Sequence, residues 1–251
     1  MKNLLILIYY KTLSDLKSEA RKTYAGYLWW MLEPLLQLAV YYAFFTYIFT
    51  AREPNYALFL FIGLVSWRWF QASVLHSANS LIINRSMTQV IDIDKAFFPL
   101  EVVCVDLVKY VFSLLLVLIT LWCSGIYPDV LYVQLPILIL LQYILTTGCS
   151  LVVAGITPFF PDFYLLLQTW LQLMMFLSGI FYSLDSIPGV FGRLLSLNPM
   201  GLLIQDYRRI LLNHESLSWS SAAYVLMTGV VLWGVGLCIL RRFNKLYPKL
   251  G

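Results

Sequence analysis

The sequence predicts an all-α polytopic membrane protein with six transmembrane helices, and three observations carry that prediction. First, 61% of the 251 residues are hydrophobic and only 12% are charged. Second, Pro34–Ala51, Tyr110–Pro128, Val130–Pro161, Phe163–Leu184 and Ser216–Leu240 contain no Asp, Glu, Lys or Arg, and a sixth segment, Tyr56–Ile83, carries only Arg68. A hydrocarbon core of roughly 30 Å is crossed by about 20 apolar residues in helical form. Third, basic residues concentrate in alternate connections. Lys2, Lys11, Lys17, Arg21, Lys22, Arg85, Lys95, Arg241, Arg242, Lys245 and Lys249 fall on one side of the six segments, and only Arg52, Arg193, Arg208 and Arg209 on the other. That asymmetry predicts both termini in the cytoplasm. The whole chain, 1–251, reads as one transmembrane domain.

The first element, within 1–28, is an amphipathic helix over about Leu4–Tyr24. Leu5, Ile8, Tyr9, Leu13, Leu16 and Ala20 recur at helical spacing, while Lys11, Asp15, Glu19 and Lys22 point elsewhere. Such a helix lies in the membrane interface, with Trp29 and Trp30 anchoring the passage into span one. Pro34 suits the first turn of that span, where its missing N–H costs nothing. Spans one to five occupy 29–184. Between spans two and three, Asn84–Phe98 carries Arg85, Asp92, Asp94 and Lys95. It reads either as a solvated loop or as a short helix gripped by a cytoplasmic partner.

The external connection, 185–215, holds Pro188, Gly189, Gly192 and Asn198-Pro199 among Ile187, Val190, Leu194, Leu195 and Leu197. It is too apolar for a free loop. Two short re-entrant helices broken at Asn198-Pro199 fit better, since irregular backbone at membrane depth needs protein or a watery cavity to cover it. Span six and a basic tail complete 216–251.

The chemistry available is sparse. No G-x-x-x-x-G-K-[ST] segment is present, so ATP is not held here as a P-loop holds it. No acid–histidine relay is evident, which weighs against coupling to a proton gradient. Arg68 lies about 18 Å along its span at 1.5 Å per residue. It either lines a pathway or makes a structural pair. Asp106 and Lys109, three apart on one helix face, can pair with each other. His76 and His214 stand isolated in the sequence. Neither they nor Cys104, Cys123, Cys149 and Cys238 have metal-ligand or disulfide spacing. The net charge of +4 reports orientation and gives no reason to expect nucleic acid. Aromatics form 16% of the chain. Tyr41, Phe45 and Phe49 share a face of span one, Trp67, Trp69 and Phe70 cluster in span two, and Trp170, Phe176, Phe181 and Tyr182 populate span five. They read either as membrane-belt residues or as a conduit able to stack on sugar rings.

Several motifs together resemble a known family. Gly26-Tyr27-Leu28-Trp29 and Glu33-Pro34-Leu35-Leu36 are similar to the start of the first span in ABC-2-type permeases for bacterial surface polysaccharides. Phe159-Phe160-Pro161-Asp162 is similar to that family's aromatic cytoplasmic turn. Gly179-Ile180-Phe181-Tyr182, Ser186-Ile187-Pro188 and Asn198-Pro199 resemble its external re-entrant segment. The resemblance implies a channel-forming subunit of an ATP-driven exporter in the bacterial cytoplasmic membrane, moving a lipid-linked or lipid-anchored polysaccharide such as O-antigen, capsule or teichoic acid. It implies partnership with a second copy of the chain and two copies of an ATPase that holds Mg-ATP, with no cofactor in this chain. It assigns coupling to Lys17, Arg21, Arg85, Asp92, Asp94 and Lys95, and gating to Pro188, Asn198 and Pro199. Export of a small molecule or lipid, and an integral-membrane transferase acting on lipid-linked sugars, are the alternatives.

Overall fold

In the computed structural model, which describes residues 2–21, 26–48, 55–90, 93–160, 162–244 and 246–247, every regular element among those residues is helical. Phe49 and Asp92, and Pro161 of the aromatic turn, lie outside the described residues. The helices are α1 (Lys2–Arg21), α2 (Trp29–Ile48), α3 (Tyr56–Ile83), α4 (Arg85–Val90) and α5 (Phe97–Cys123), followed by α6 (Leu135–Ile156), α7 (Phe163–Leu177), α8 (Gly189–Leu195), α9 (Pro199–Leu211) and α10 (Trp219–Arg242).

Among the described residues, four helical stretches are long and apolar enough to cross a membrane: Tyr56–Ile83, Phe97–Cys123, Val130–Phe159 and Trp219–Arg242. The chain is a multi-pass membrane protein. Two of the six expected segments differ in detail. α2 is 20 residues long and begins at Trp29, so Pro34 lies inside the helix and not in its first turn. A proline there leaves the carbonyl four residues earlier without its helical donor. That carbonyl belongs to Trp30, and the Ser113 hydroxyl of α5 donates to it at 3.4 Å. The second difference is α7, which stops after 15 residues, at Leu177, where the charge-free run predicted helix as far as Leu184. Gly179 follows with φ 68, a backbone that glycine adopts without strain.

α3 is the axis of the bundle. α2, α5, α6, α7 and α9 all pack against it, and Leu60, Phe61 and Ala78 are fully enclosed. Where the hydrocarbon supplies no water, several polar groups of α3 bond within the protein. Ser66 donates to the Ile62 carbonyl at 2.9 Å, Gln142 of α6 donates to the Ser66 carbonyl at 2.8 Å, and Ser150 of α6 reaches the Ser73 carbonyl at 3.4 Å. A second cluster, of Leu81, Phe97, Phe98, Leu151, Leu240 and Tyr247 with Ile8 packed on it, gathers α1 and the end of α10 at one end of the bundle. Asn55, Asp129, Ser183 and His214 sit at the opposite end.

The closest helix pair is α6 with α10. A Cβ at Gly148 would stand 2.7 Å from the Gly229 carbonyl, and one at Gly236 would stand 2.5 Å from Leu151 Cβ and 2.9 Å from the Val152 nitrogen. Small residues here let the backbones touch, which is how helices associate where no hydrophobic drive exists. Gly236→Val is expected to lower stability by about 1–3 kcal/mol through overpacking. Gly234→Ala, on the same helix with nothing within 4 Å of its Cβ, is expected to be neutral. Apparent melting temperatures in detergent check the pair. Equal loss in both would mean that the close α6–α10 contact is not what sets the cost.

Candidate functional site

Three groups of side chains converge in the bundle. The first surrounds a cavity of about 290 Å³ between α1, α2, α3 and α5, walled by Trp29, Trp30, Glu33, Arg68, His76 and Lys109. Its charges are paired. Arg68 contacts Glu33 of α2. Lys109 meets Glu19 of α1 at 2.7 Å and Asp106 at 3.5 Å, and His76 lies 2.9 Å from Asp106. His76 is therefore not isolated, and nor is His214, which lies 3.0 Å from Asp129 at the other end. Both partnerships come from residues far away in sequence. Farther along α1, Lys11 stands 3.8 Å from the buried Glu101 of α5. α1 and α5 are thus joined at two points, with the signs exchanged between them: lysine on α1 and acid on α5 at one, acid on α1 and lysine on α5 at the other.

The second group is aromatic. Phe181 is stacked on Phe45 at 4.6 Å between ring centroids and on Phe176 at 5.2 Å, and Tyr41 approaches it at 5.2 Å. Tyr182 donates its hydroxyl to the Phe176 carbonyl at 2.9 Å, and Tyr56 donates to the Phe181 carbonyl at 3.1 Å. Rings from α2, α7 and the segment after α7 therefore form one surface. Beside it is a cavity of about 190 Å³ lined by Gln37, Tyr41, Trp67, Arg68, Gln71 and Gln172. Arg68 borders both cavities. Trp67 packs on Phe70 at 5.5 Å and donates to Gln71 at 3.1 Å. Trp69 turns the other way and stacks on Tyr110 at 4.5 Å. Trp170 is exposed on α7.

The third group holds the segment after α7. Pro188 precedes α8 in extended backbone. Asn198 caps α9 by accepting from Met200 N at 3.0 Å and Gly201 N at 3.4 Å, and Pro199 opens that helix. A proline at the first position and an asparagine cap together satisfy the free N–H groups of a helix start. The Asn198 amide also donates to Ser178 Oγ at 2.7 Å. α9 is amphipathic, burying Met200, Leu203, Ile204, Tyr207, Ile210 and Leu211. Arg208 is buried on the same face. Its guanidinium donates to the carbonyls of Phe59 (3.1 Å), Gly179 (2.7 Å) and Ile180 (2.8 Å) and lies 3.3 Å from the Phe59 ring centre. Nearby, burial pushes the Asp206 carboxyl above the usual carboxylate range, against the opposing pull of its bonds from Ser221 and Ser218.

The residues predicted for coupling are dispersed. Lys17 and Arg21 are exposed on α1, and Arg85 is half-buried at the start of the short helix α4, Arg85–Val90. Asp94 is exposed and caps the Ala96 nitrogen at 3.1 Å. Lys95 is buried, its ammonium donating to the Ile93 carbonyl at 3.0 Å. Sequence reasoning missed Arg208 as a structural centre. The signal was available: it stands four residues after Ile204 and three before Leu211, on the apolar face of α9.

Arg208→Lys keeps the charge but loses the planar fork that serves three carbonyls. We expect it to cost about 2 kcal/mol, because buried carbonyls are left without donors. The expected readouts are a lower melting temperature and faster proteolysis after residue 178. A wild-type profile for the lysine variant would show that charge alone suffices.

A protein-family model described as "ABC-2 type transporter" matches residues 12–212. The chain is 30% identical over 245 residues to the O-antigen export system permease protein RfbA of Klebsiella pneumoniae, covering 97% of this chain and 92% of that protein. It is 31% identical over 203 residues to the protein of the same name from Myxococcus xanthus, covering 80% and 78%. To the polysialic acid transport protein KpsM of Escherichia coli it is 24% identical over 232 residues, covering 91% and 90%.

Proposed function

Since the chain belongs to the ABC-2 type transporter family, we propose that it is the permease component of an ATP-driven exporter of O-antigen or capsular polysaccharide. The observation that carries the reading is likeness to O-antigen export permeases over nearly its full length. Permease subunits of this kind have no ATPase site of their own, so an ATPase chain supplies the energy from Mg-ATP.

The finer architecture is part of the proposal: six spans, with α2 and α7 added to the four long apolar stretches, both termini cytoplasmic, and α8 and α9 re-entrant at the outer face of the bacterial cytoplasmic membrane. Two copies of the chain would assemble with two copies of the ATPase. Three features support a polymer conduit. The rings of Tyr41, Phe45, Phe176 and Phe181 offer faces on which sugars can stack without their identity being read closely. The polar cavity beside them is continuous with Arg68. The linked α1–α5 pair offers a rigid route for movement from the cytoplasmic face, since α1 meets α5 through both Lys11–Glu101 and Glu19–Lys109. ATP-driven closure of the partner would shift α1 and α4 together. α5 and α3 would carry that motion to the segment held by Arg208.

Two experiments test this reading. Purified with its ATPase in nanodiscs, the complex is expected to hydrolyse ATP several-fold faster when glycan-lipid from the same cell is added. A stable complex indifferent to that lipid would point to a smaller cargo, and no complex would contradict the family's architecture. For coupling, Glu19→Lys and Lys109→Glu singly are expected to reduce lipid-stimulated hydrolysis, and the double exchange to restore much of it. Failure of the exchange to restore would separate the α1–α5 contact from coupling.

A further inference from the structure

At the end of the bundle away from the termini lies a cavity of about 390 Å³, between the start of α3, residues 183–184 and the outer face of α9. Ligand pockets run from roughly 300 to 1,000 Å³, so this one has room for one or two sugar rings. Its polar wall is unusual for a membrane protein of this composition: Asn55, Ser183, Gln205, Arg209, Asn213 and Glu215 all line it.

The floor is rigid. Arg208 and the Phe59 ring beneath it are locked together with three backbone carbonyls, and that face of Phe59 is already covered by the guanidinium. The rim is available. Asn55 and Asn213 are exposed, and neither side-chain amide bonds to another group among the described residues. Arg209 and Glu215 pair at 3.1 Å with side chains 36% and 54% exposed. A screened pair of this kind exchanges partners cheaply.

We propose that this cup is a saccharide-binding site on the exit side of the permease. The inference rests on the polysaccharide reading above and extends it to a place of contact outside the conduit. Planar amides, a guanidinium and a carboxylate around one cavity match the adjacent hydroxyls of a sugar ring, each of which donates and accepts. No open aromatic face lies in the cup, so recognition there is by hydrogen bonds. The aromatic surface of α2 and α7 would contact by stacking instead. The two modes give a division of labour: sugars slide over rings inside the protein and are caught by polar groups once outside. A weak catch at the exit resists backsliding between ATP cycles without stopping the next step.

The test uses the intact permease–ATPase complex in nanodiscs and oligosaccharides released by mild acid from the cell's own surface polysaccharide. Binding is read by calorimetry or saturation-transfer NMR. Asn55→Gly keeps the left-handed backbone at φ 55, and Asn213→Ala alters an exposed residue, so the double variant is expected to assemble with an unchanged melting temperature. Its affinity for the oligosaccharides should fall roughly tenfold or more, the effect of two lost hydrogen-bonding groups. Ser220→Ala, on α10 and outside the lining of the cup, should bind as the wild type does. Wild-type affinity in the double variant, or an equal fall in Ser220→Ala, would overturn the site. Deleting the gene separates the two levels. Loss of surface glycan with no oligosaccharide binding by the intact complex overturns the cup alone, whereas intact surface glycan overturns the exporter reading beneath it.

Discussion

A backbone carbonyl in hydrocarbon must find a donor inside the protein, and the end of this bundle away from the termini is organised around one place where helical bonding runs out. α7 ends at Leu177, and the chain turns through Gly179 with carbonyls that no following helical turn can cap. Arg208 supplies the donors. From α9 it reaches Gly179 and Ile180 on one side and Phe59 of α3 on the other. One guanidinium therefore ties the axial helix, the end of α7 and the short helix α9. Burying a cation is costly, and the cost is offset here by charge-assisted bonds to oriented carbonyls and by the Phe59 ring. The position of Phe181 depends on that tie, because it follows directly after the clamped carbonyl of Ile180.

At the other end the logic is ionic. α1 carries exposed charges, and its apolar face alone would hold it loosely. Lys11 and Glu19, eight residues apart, meet Glu101 and Lys109, also eight apart. Matching spacings on two helices running side by side make the pairing register-specific. Exchanging the signs disfavours a slipped alignment, which would bring like charges together. Arg68 and Glu33 do for α2 and α3 what these pairs do for α1 and α5. The arrangement also explains how an ionisable residue survives midway along α3: it borders polar cavities and has a carboxylate partner.

Much of this was legible in the sequence. The charge-free runs located α6, α10 and the second half of α5, and the apolar run broken by Arg68 located α3, because length and apolarity are what a bilayer selects. The break at Asn198-Pro199 was legible because an asparagine cap before a proline has one natural reading. Convergence of Tyr41, Phe45, Phe176 and Phe181 was not legible, since rings on separate helices meet only through the turn at Gly179. The Asp106–Lys109 pair was legible from its spacing, but the Asp106 partner of His76, the Glu33 partner of Arg68 and the Glu19 partner of Lys109 were not, since each comes from a different helix. Pro34 shows the limit clearly. Local rules put it in the first turn, but the structure tolerates it inside α2 because Ser113 of α5 takes the carbonyl it frees. Arg208 was hidden for the opposite reason: counted only as one more charge in an external connection, its buried role was concealed.

The central claim is that the polymer travels along the aromatic surface of α2 and α7. A photo-crosslinking amino acid in place of Phe176, which is 45% exposed at the edge of that surface, tests it in cells that are actively exporting glycan. The same residue in place of Trp122, 43% exposed on α5, controls for contact with lipid. A ladder of glycan adducts at position 176 and none at 122 is the result expected here. Lipid adducts alone at both positions would contradict the account and return these rings to the membrane belt.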